Sequence, residues 1–230
     1  MKKNYKKTSY LTKKEWLEAK EKTIGGSEAA AILNKSKWLT PNDIYNKMVL
    51  GKCKTVIENE KMLDGTLAES HIRALFALDH KEFKVKNPPQ KGYWFFSRID
   101  KPYLSCTPDG LLTKVTSGSL WGLEIKNIDL IKREDRELWE SDTLPDQYLY
   151  QILQYLVVFN DMLGVVLNAH LKYYKRNDKN EYEFDYAVDR SYTIYREEFV
   201  GAIKYLENKE TEFYENNVKL KKRPKLVIKF

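Results

Sequence analysis

The chain has 230 residues and carries 40 Lys and Arg against 33 Asp and Glu, a formal charge of +7, which suits a polyanionic partner without requiring one. Its two cysteines, Cys53 and Cys106, are far apart, which argues against a zinc ribbon, an iron–sulfur cluster or a disulfide framework and favours a reducing, cytoplasmic setting. No stretch approaches the ~20 apolar residues of a membrane span, and no apolar segment follows the basic start, so no membrane association is expected.

No repeat or long linker divides the sequence, so one domain over residues 1–230 is expected, with short basic tails at about 1–10 and 218–230 formed by Lys2 to Lys7 and Lys219 to Lys225. A short helix is predicted around Glu15 to Lys22, and after Ile24-Gly25-Gly26 Ser27 can cap a second through Leu33. A third starts near Pro41, with Ile44, Tyr45 and Met48 at helical spacing. A longer helix spans about Glu60 to Leu78, with Leu63, Leu67, Ile72 and Leu75 as its apolar positions. Four short strands then follow at Tyr93 to Ser97, Tyr103 to Thr107, Gly110 to Val115 and Leu120 to Lys126, consecutive and antiparallel. Pro145 to Phe159 is helical, Gly164 to Tyr174 and Tyr182 to Val188 alternate as strands, and Tyr195 to Asn216 forms a last helix striped by Phe199, Ile203, Leu206 and Phe213. The pattern is α/β, a mixed central sheet flanked by helices.

The chemistry concentrates in Ser105-Cys106-Thr107-Pro108-Asp109-Gly110 and, fifteen residues after Asp109, Glu124-Ile125-Lys126. Gly110 permits a tight turn, and a hairpin with Ser117-Gly118-Ser119 at its tip can return Glu124 to the side of Asp109. Glu124 and Lys126 share a strand face, because side chains alternate with a period of two. Two converging carboxylates, with the backbone carbonyl of Ile125, supply part of an oxygen set for Mg²⁺, with Mn²⁺ able to substitute. Without a cation the carboxylates repel and at least one is expected to hold its proton more tightly. Lys126 either orients a water or balances developing charge, and its neighbours make a lowered pKa conceivable. Taken alone, the same residues also fit a turn followed by an ordinary strand ion pair. Gln147, Gln151 and Gln154 fall at i, i+4 and i+7, an amide stripe on an apolar helix; Gln151 can meet a phosphate or a water, or the stripe can form a buried network. The three histidines, His71, His80 and His170, have no metal-binding spacing and are expected on the surface or in helix packing.

Read together, five ordered segments resemble the YqaJ-like viral recombinase (lambda-exonuclease) family of the PD-(D/E)xK nuclease superfamily. They are Lys20 to Glu28, similar to R-x-x-x-I-G-x-S-[DE]; Tyr45-Asn46-Lys47 to Gly51; Gly65-Thr66-Leu67-Ala68-Glu69, similar to G-x-x-x-E; Thr107-Pro108-Asp109-Gly110 with Glu124-Ile125-Lys126; and Pro145 to Tyr155 with Gln151, similar to P-x-x-Y-x-x-Q. The resemblance implies a restriction-endonuclease-like core with catalytic Asp109, Glu124, Lys126, Glu69 and Gln151. Its metal ligands would come from Asp109, Glu124, Ile125 and Glu69, with Lys20, Ser27 and Thr107 against DNA phosphates. Ser27, near a helix start, is also placed for an anion, although simple capping accounts for it equally. The chain departs from the family at Lys20, where Arg is usual and a bidentate fork gives way to a point charge on a terminal phosphate. The gap between Asp109 and Glu124 is also longer.

The resemblance further implies a Mg²⁺-dependent exonuclease on double-stranded DNA, 5′ to 3′, serving phage-type recombination in the cytoplasm of a bacterial host. A single-strand annealing protein as partner and a homo-trimer are implied in the same way. Two alternatives stand: an endonuclease of the same superfamily, and a DNA-binding or assembly protein with a vestigial site.

Overall fold

The computed structural model describes residues 3–52, 60–141 and 143–225, with 60–66 as backbone alone. Cys53 and the side chains of Leu63, Gly65 and Thr66 therefore lie outside the described residues. Among the described residues no helix is long and apolar enough to cross a membrane.

The elements are β1 (Tyr5–Tyr10), α1 (Lys13–Glu21), α2 (Gly26–Ile32), α3 (Pro41–Leu50), α4 (Glu60–Asp79), β2 (Phe83–Lys86), β3 (Tyr93–Arg98), β4 (Ser105–Cys106), β5 (Gly110–Lys114), β6 (Leu120–Leu130), α5 (Arg133–Glu140), α6 (Asp146–Val158), β7 (Met162–Arg176), β8 (Tyr182–Tyr195) and α7 (Val200–Phe213). A 3-10 turn, Arg196–Phe199, precedes α7 and a π-turn, Tyr214–Val218, follows it. They form two sheets, of order β1-β3-β4 and β2-β5-β6-β7-β8. Within the larger sheet β6 and β7 run parallel and the other pairs antiparallel, so the expected mixed α/β architecture is present.

Several expectations are corrected. The four middle strands are not one antiparallel run: β3 pairs with β4 and β5 with β6, but the chain leaves the small sheet after Cys106 and enters the large one at Gly110. The amino-terminal lysines are not a free tail, because Tyr5–Tyr10 pairs residue by residue with β3 and buries Tyr5 against Phe96 and Phe159. Lys6 and Lys7 are consecutive and so fall on opposite faces of the strand, Lys7 lying 5.3 Å from the centre of the Trp94 ring, and this doubled charge masks the period of two. The last helix begins at Val200 and not Tyr195, since β8 continues to Tyr195 beside β7. On α4 the buried residues are Ile72 and Phe76, whereas Leu67 and Leu75 are exposed. The strand β2 and the helix α5 were not anticipated.

Two apolar clusters fix the layers. The larger joins α2, α3, α6 and α7 to β3, β4 and one face of the large sheet, with Leu153, Leu156, Val165, Leu167 and Leu206 among its buried members. The smaller lies under α4 and holds Ile72, Phe76, Leu112, Trp121, Leu123, Ile125 and Val166. Leu123 and Ile125 thus turn toward α4, and strand alternation sends Glu124 and Lys126 to the opposite face, toward α6. Close packing continues at Gly164, where an added Cβ would lie 2.2 Å from the Trp121 ring and 2.6 Å from the Ile194 carbonyl oxygen.

Candidate active site

The passage from the small sheet to the large one is held at each peptide. The Trp94 indole donates to the Pro108 carbonyl at 2.8 Å, and the Asp109 N–H donates to the Leu123 carbonyl at 3.0 Å. The Asp109 carboxylate then accepts the Ile125 N–H at 2.7 Å. Asp109 is therefore pinned across β6 on both sides of Glu124. Gly110 packs closely on β6, since a Cβ there would stand 3.1 Å from the Leu123 side chain and oblige it to shift.

Glu124 is 2% exposed, and its oxygens are met by three donors. Oε1 accepts Lys126 Nζ at 2.6 Å and Gln151 Nε2 at 2.5 Å, and Oε2 accepts the Tyr155 hydroxyl. Lys126 Nζ also donates to Gln151 Oε1 at 3.0 Å and stands 5.1 Å from the centre of the Tyr148 ring. Gln151 and Tyr155 are one helical turn apart on α6, so one helix face supplies two of the donors.

Electrostatics set these groups apart from an ordinary strand pair. Burial, then the Glu124 and Glu69 carboxylates, push Asp109 well above the usual carboxylate range. Burial works to lower Lys126, but Glu124 and Asp109 outweigh it and hold the ammonium above its ordinary value. The lowered Lys126 pKa entertained from sequence is thereby corrected: paired with carboxylates in a poorly hydrated place, it keeps its proton. Glu69, on α4, is raised by burial, opposed by its ion pair with Arg73 and reinforced by Glu124.

Asp109, Lys126, Gln151, Tyr155 and Glu69 line one cleft of about 880 Å³, with Glu124 buried behind Lys126 and Gln151. The lining of the cleft also includes Lys20, Ser27 and Thr107. Lys20 Nζ lies 4.2 Å from the centre of the Trp16 ring, which is itself stacked on Tyr93, and burial lowers its pKa against the pull of Glu28. Ser27 is not the helix cap expected of it. Gly25 occupies the cap, its N–H accepted by the Glu28 carboxylate at 2.9 Å, and Ser27 is exposed in the cleft.

Lys47 explains the Tyr45-Asn46-Lys47 segment. Its ammonium donates to the carbonyls of Thr23 and Lys20 and to Glu28, strapping the turn that carries Lys20 to Ser27. The glutamine stripe divides: Gln151 serves the site, while Gln154 is fully buried and donates to the Ile24 and Ser105 carbonyls at 3.3 and 3.4 Å. Ile125 offers its N–H to Asp109 and its side chain to the α4 cluster.

Among the described residues no three His, Cys, Asp or Glu side chains are gathered to hold a metal by themselves. Glu69 is drawn toward Arg73 and does not close a cage with Asp109 and Glu124. The histidines are as expected, His71 exposed, His80 stacked on Phe76 and His170 paired with Asp189 at 2.9 Å. Sequence reasoning missed Tyr155, Arg73, Tyr148 and Trp16; for Tyr155 the signal was its i+4 spacing from Gln151.

The model of the YqaJ-like viral recombinase domain matches residues 15–161, which contain every residue of this constellation. The chain belongs to that family. Uncharacterized protein YqaJ of Bacillus subtilis (strain 168) is 25% identical over 154 residues, 66% of this chain and 44% of the relative, so the YqaJ-like chain matches less than half of that relative's length. In three dimensions the YqaJ-like chain is similar to the alkaline exonuclease LHK-Exo from Laribacter hongkongensis, with a TM-score of 0.58, 16% identity, and coverage of 91% of this chain and 96% of that one. It is also similar to SOX, solved in complex with DNA, with a TM-score of 0.54, 10% identity, and coverage of 90% and 68%. At such identities the likeness concerns the fold, a mixed sheet flanked by helices.

Proposed function

We propose that this chain is a metal-dependent nuclease that hydrolyses double-stranded DNA from an end, in the 5′-to-3′ direction, within phage-type recombination. The observation that carries the proposal is the joining of Asp109, Lys126 and Gln151, which line one cleft, to the buried Glu124 by hydrogen bonds through Ile125 N–H and the Glu124 carboxylate. A surface ion pair has no need of a second, buried carboxylate whose pKa is raised, or of a buried tyrosine and a half-buried glutamine aimed at it. The +7 charge and the lysine-bearing cleft suit a phosphate backbone, and the YqaJ-like family and the exonuclease fold point the same way.

Asp109 and Glu124 fit Mg²⁺, with Mn²⁺ as substitute. Burial, and after it the Glu124 charge, disfavour an ionised Asp109, a cost that a cation would offset, and Mg²⁺ asks for one or two carboxylates completed by water and phosphate, not for a closed protein cage. The Ile125 carbonyl and Glu69 are the further candidate ligands. When bound, the ion would polarise the scissile phosphate and ease loss of a proton from the attacking water. Lys126 presents a fixed ammonium to the phosphate oxygens and balances the charge that develops there. Gln151 bridges Lys126 and Glu124 and can orient a water, while Tyr155 holds the Glu124 carboxylate in its rotamer. Lys20, Ser27 and Thr107 face the backbone of the incoming strand. A single-strand annealing partner, a trimeric assembly and a bacterial cytoplasmic setting belong to the same proposal.

Linear and covalently closed duplexes test it in the presence of Mg²⁺. The expected result is degradation of the linear form, with 5′-end label released first and the closed circle untouched. Asp109→Ala, Glu124→Ala and Lys126→Ala are each expected to reduce cleavage by at least ~100-fold with cooperative melts like the parent's. Cutting of the closed circle would move the activity to the endonuclease class, and purified Asp109→Ala with parental activity would remove the mechanism.

A further inference from the structure

A second cavity, also of about 880 Å³, lies beyond the carboxyl end of β6, between the start of α5 and the far ends of β7 and β8. Lys126 and Leu130 are both on β6, four residues apart, so this cavity begins about 13 Å along the strand from the cleft. Its composition differs from that of the cleft. The cations lining it are Lys132, Arg133, Arg136, Lys175 and Arg176, against the acids Glu134 and Asp185.

Between the cations stand aromatic faces. Tyr173 and Tyr186 pair across the two strands with ring centroids 4.6 Å apart and planes 10° from parallel, and Tyr186 remains 50% exposed. The Arg136 guanidinium is 5.8 Å from the centre of the Tyr173 ring and is held there by donating to the Leu130 and Tyr174 carbonyls. Arg176 lies 4.6 Å from the centre of the Tyr182 ring, which is 48% exposed. Cross-strand pairing accounts for tyrosines on a two-stranded ribbon, and hydrogen bonds to Asn180 and the Tyr182 hydroxyl fix Arg176 as the carbonyls fix Arg136, so the guanidinium planes stand ready-made beside the rings. The Arg133–Glu137 ion pair is exposed on both sides, so water and salt screen it and it leaves that cation open to a phosphate. Lys175 is shared with Asp185 and Glu183, which leaves Lys132 and Arg133 as the cations to test.

We propose that this trough binds single-stranded DNA, its bases stacking on Tyr186 and the neighbouring ring and guanidinium planes, its phosphates facing Lys132 and Arg133. Rings that accept any base, interleaved with cations that follow the backbone, are the physical requirement for binding an unpaired strand without sequence preference. A rigid duplex hides its base faces and has no use for exposed tyrosines. The proposal rests on the nuclease assignment for the origin of its ligand: removing one strand of a duplex leaves the complement unpaired, and the trough receives it.

The test separates the two assignments because it measures binding without cleavage. Fluorescein-labelled oligo(dT) of twenty nucleotides is titrated in EDTA with the full chain, followed by anisotropy, beside a duplex of equal length. Tyr186→Ala is expected to weaken oligo(dT) binding about 10-fold. Lys132→Glu with Arg133→Glu is expected to weaken it and to flatten its dependence on salt. Asp109→Ala should bind oligo(dT) as the parent does, and short-duplex cleavage by the trough variants should stay parental. Unchanged oligo(dT) affinity in both trough variants overturns the proposal. So does an equal loss for duplex and single strand, or a change of molecular mass by light scattering with affinity intact, which would make this face a contact between copies of the chain. Absence of cleavage in every form, with oligo(dT) binding still lost in the trough variants, would sink the nuclease assignment and leave the trough.

Discussion

Glu124 is the residue on which the others converge, and Tyr155 is the donor whose removal isolates that convergence most cleanly. Tyr155→Phe keeps the ring, which is buried, and deletes only the hydroxyl on Glu124 Oε2. A hydrogen bond to a charged group contributes about 1.5–3 kcal/mol, so urea unfolding should show a loss of that size, together with reduced cleavage from a less constrained Glu124. Glu210 offers the opposite case. Both its oxygens are buried with no well-formed hydrogen bond among the described residues, and burial, then Glu207 and Glu28, raise its carboxyl well above the ordinary 4.5 against a weaker lowering by the Gln154 amide. An acid whose folded pKa is raised favours the fold while protonated, and that advantage fades as pH climbs from about 4.5 toward the raised value. Glu210→Gln cannot ionise; its melting temperature should match the parent's near pH 4.5 and exceed it increasingly toward pH 8. An equal difference at both pH values would mean that Glu210 is not neutral in the fold.

At the level of elements, the site depends on how closely α2 lies against α6. An added Cβ at Gly26 would stand 3.0 Å from the Tyr155 ring and 3.2 Å from Gln151 Cγ, so Gly26→Ala must displace both α6 residues that hold Glu124. Overpacking of this kind costs about 1–3 kcal/mol; the expected outcome is a lower urea midpoint with a larger fall in cleavage than in DNA binding. Glycine in Ile24-Gly25-Gly26-Ser27 announced a break in the sequence, but nothing there told which helix would approach it. The same limit explains the rest of what was legible. Asp109, Glu124, Lys126 and Gln151 were readable because turn, strand and helix periods act locally, and coordinates only had to bring them together. Ser27 was misjudged because the Glu28 carboxylate reaches back to Gly25, a contest between two local caps that spacing alone does not decide. Tyr155, Arg73 and Tyr148 stayed hidden because aromatic and charged residues are common on helices, and only a partner from another element distinguishes them. The edge strands β1 and β2 are obscured by lysines, which alternate with inward residues in β2 and stand side by side in β1.

For the whole molecule, the amino-terminal strand and the cleft make separate predictions. Deleting residues 1–10 removes β1 from β3 and uncovers Phe96 and Phe159; a mobile tail could be lost without effect, whereas this strand should take several degrees of melting temperature with it. Calorimetry decides between them. A divalent ion that binds the folded chain and not the unfolded one stabilises by RT ln(1 + [L]/Kd). Addition of Mn²⁺ should therefore raise the melting temperature of the parent, and Asp109→Asn should abolish the rise while its own melt in EDTA remains cooperative.

The parallel pairing of β6 with β7 also bears on when the proposed site can be completed. A parallel partner cannot be reached by a tight turn, so β6 waits for the whole crossover of α5 and α6 before its second edge is covered. Contacts so distant along the chain form slowly, because loop closure comes before any reward from packing. Glu124 leaves the ribosome with Lys126 beside it but well ahead of Gln151 and Tyr155, and a nascent chain exposes this strand without the two α6 donors that complete its shape. The proposed cleavage is thus withheld from unfinished copies by the order in which the chain is assembled.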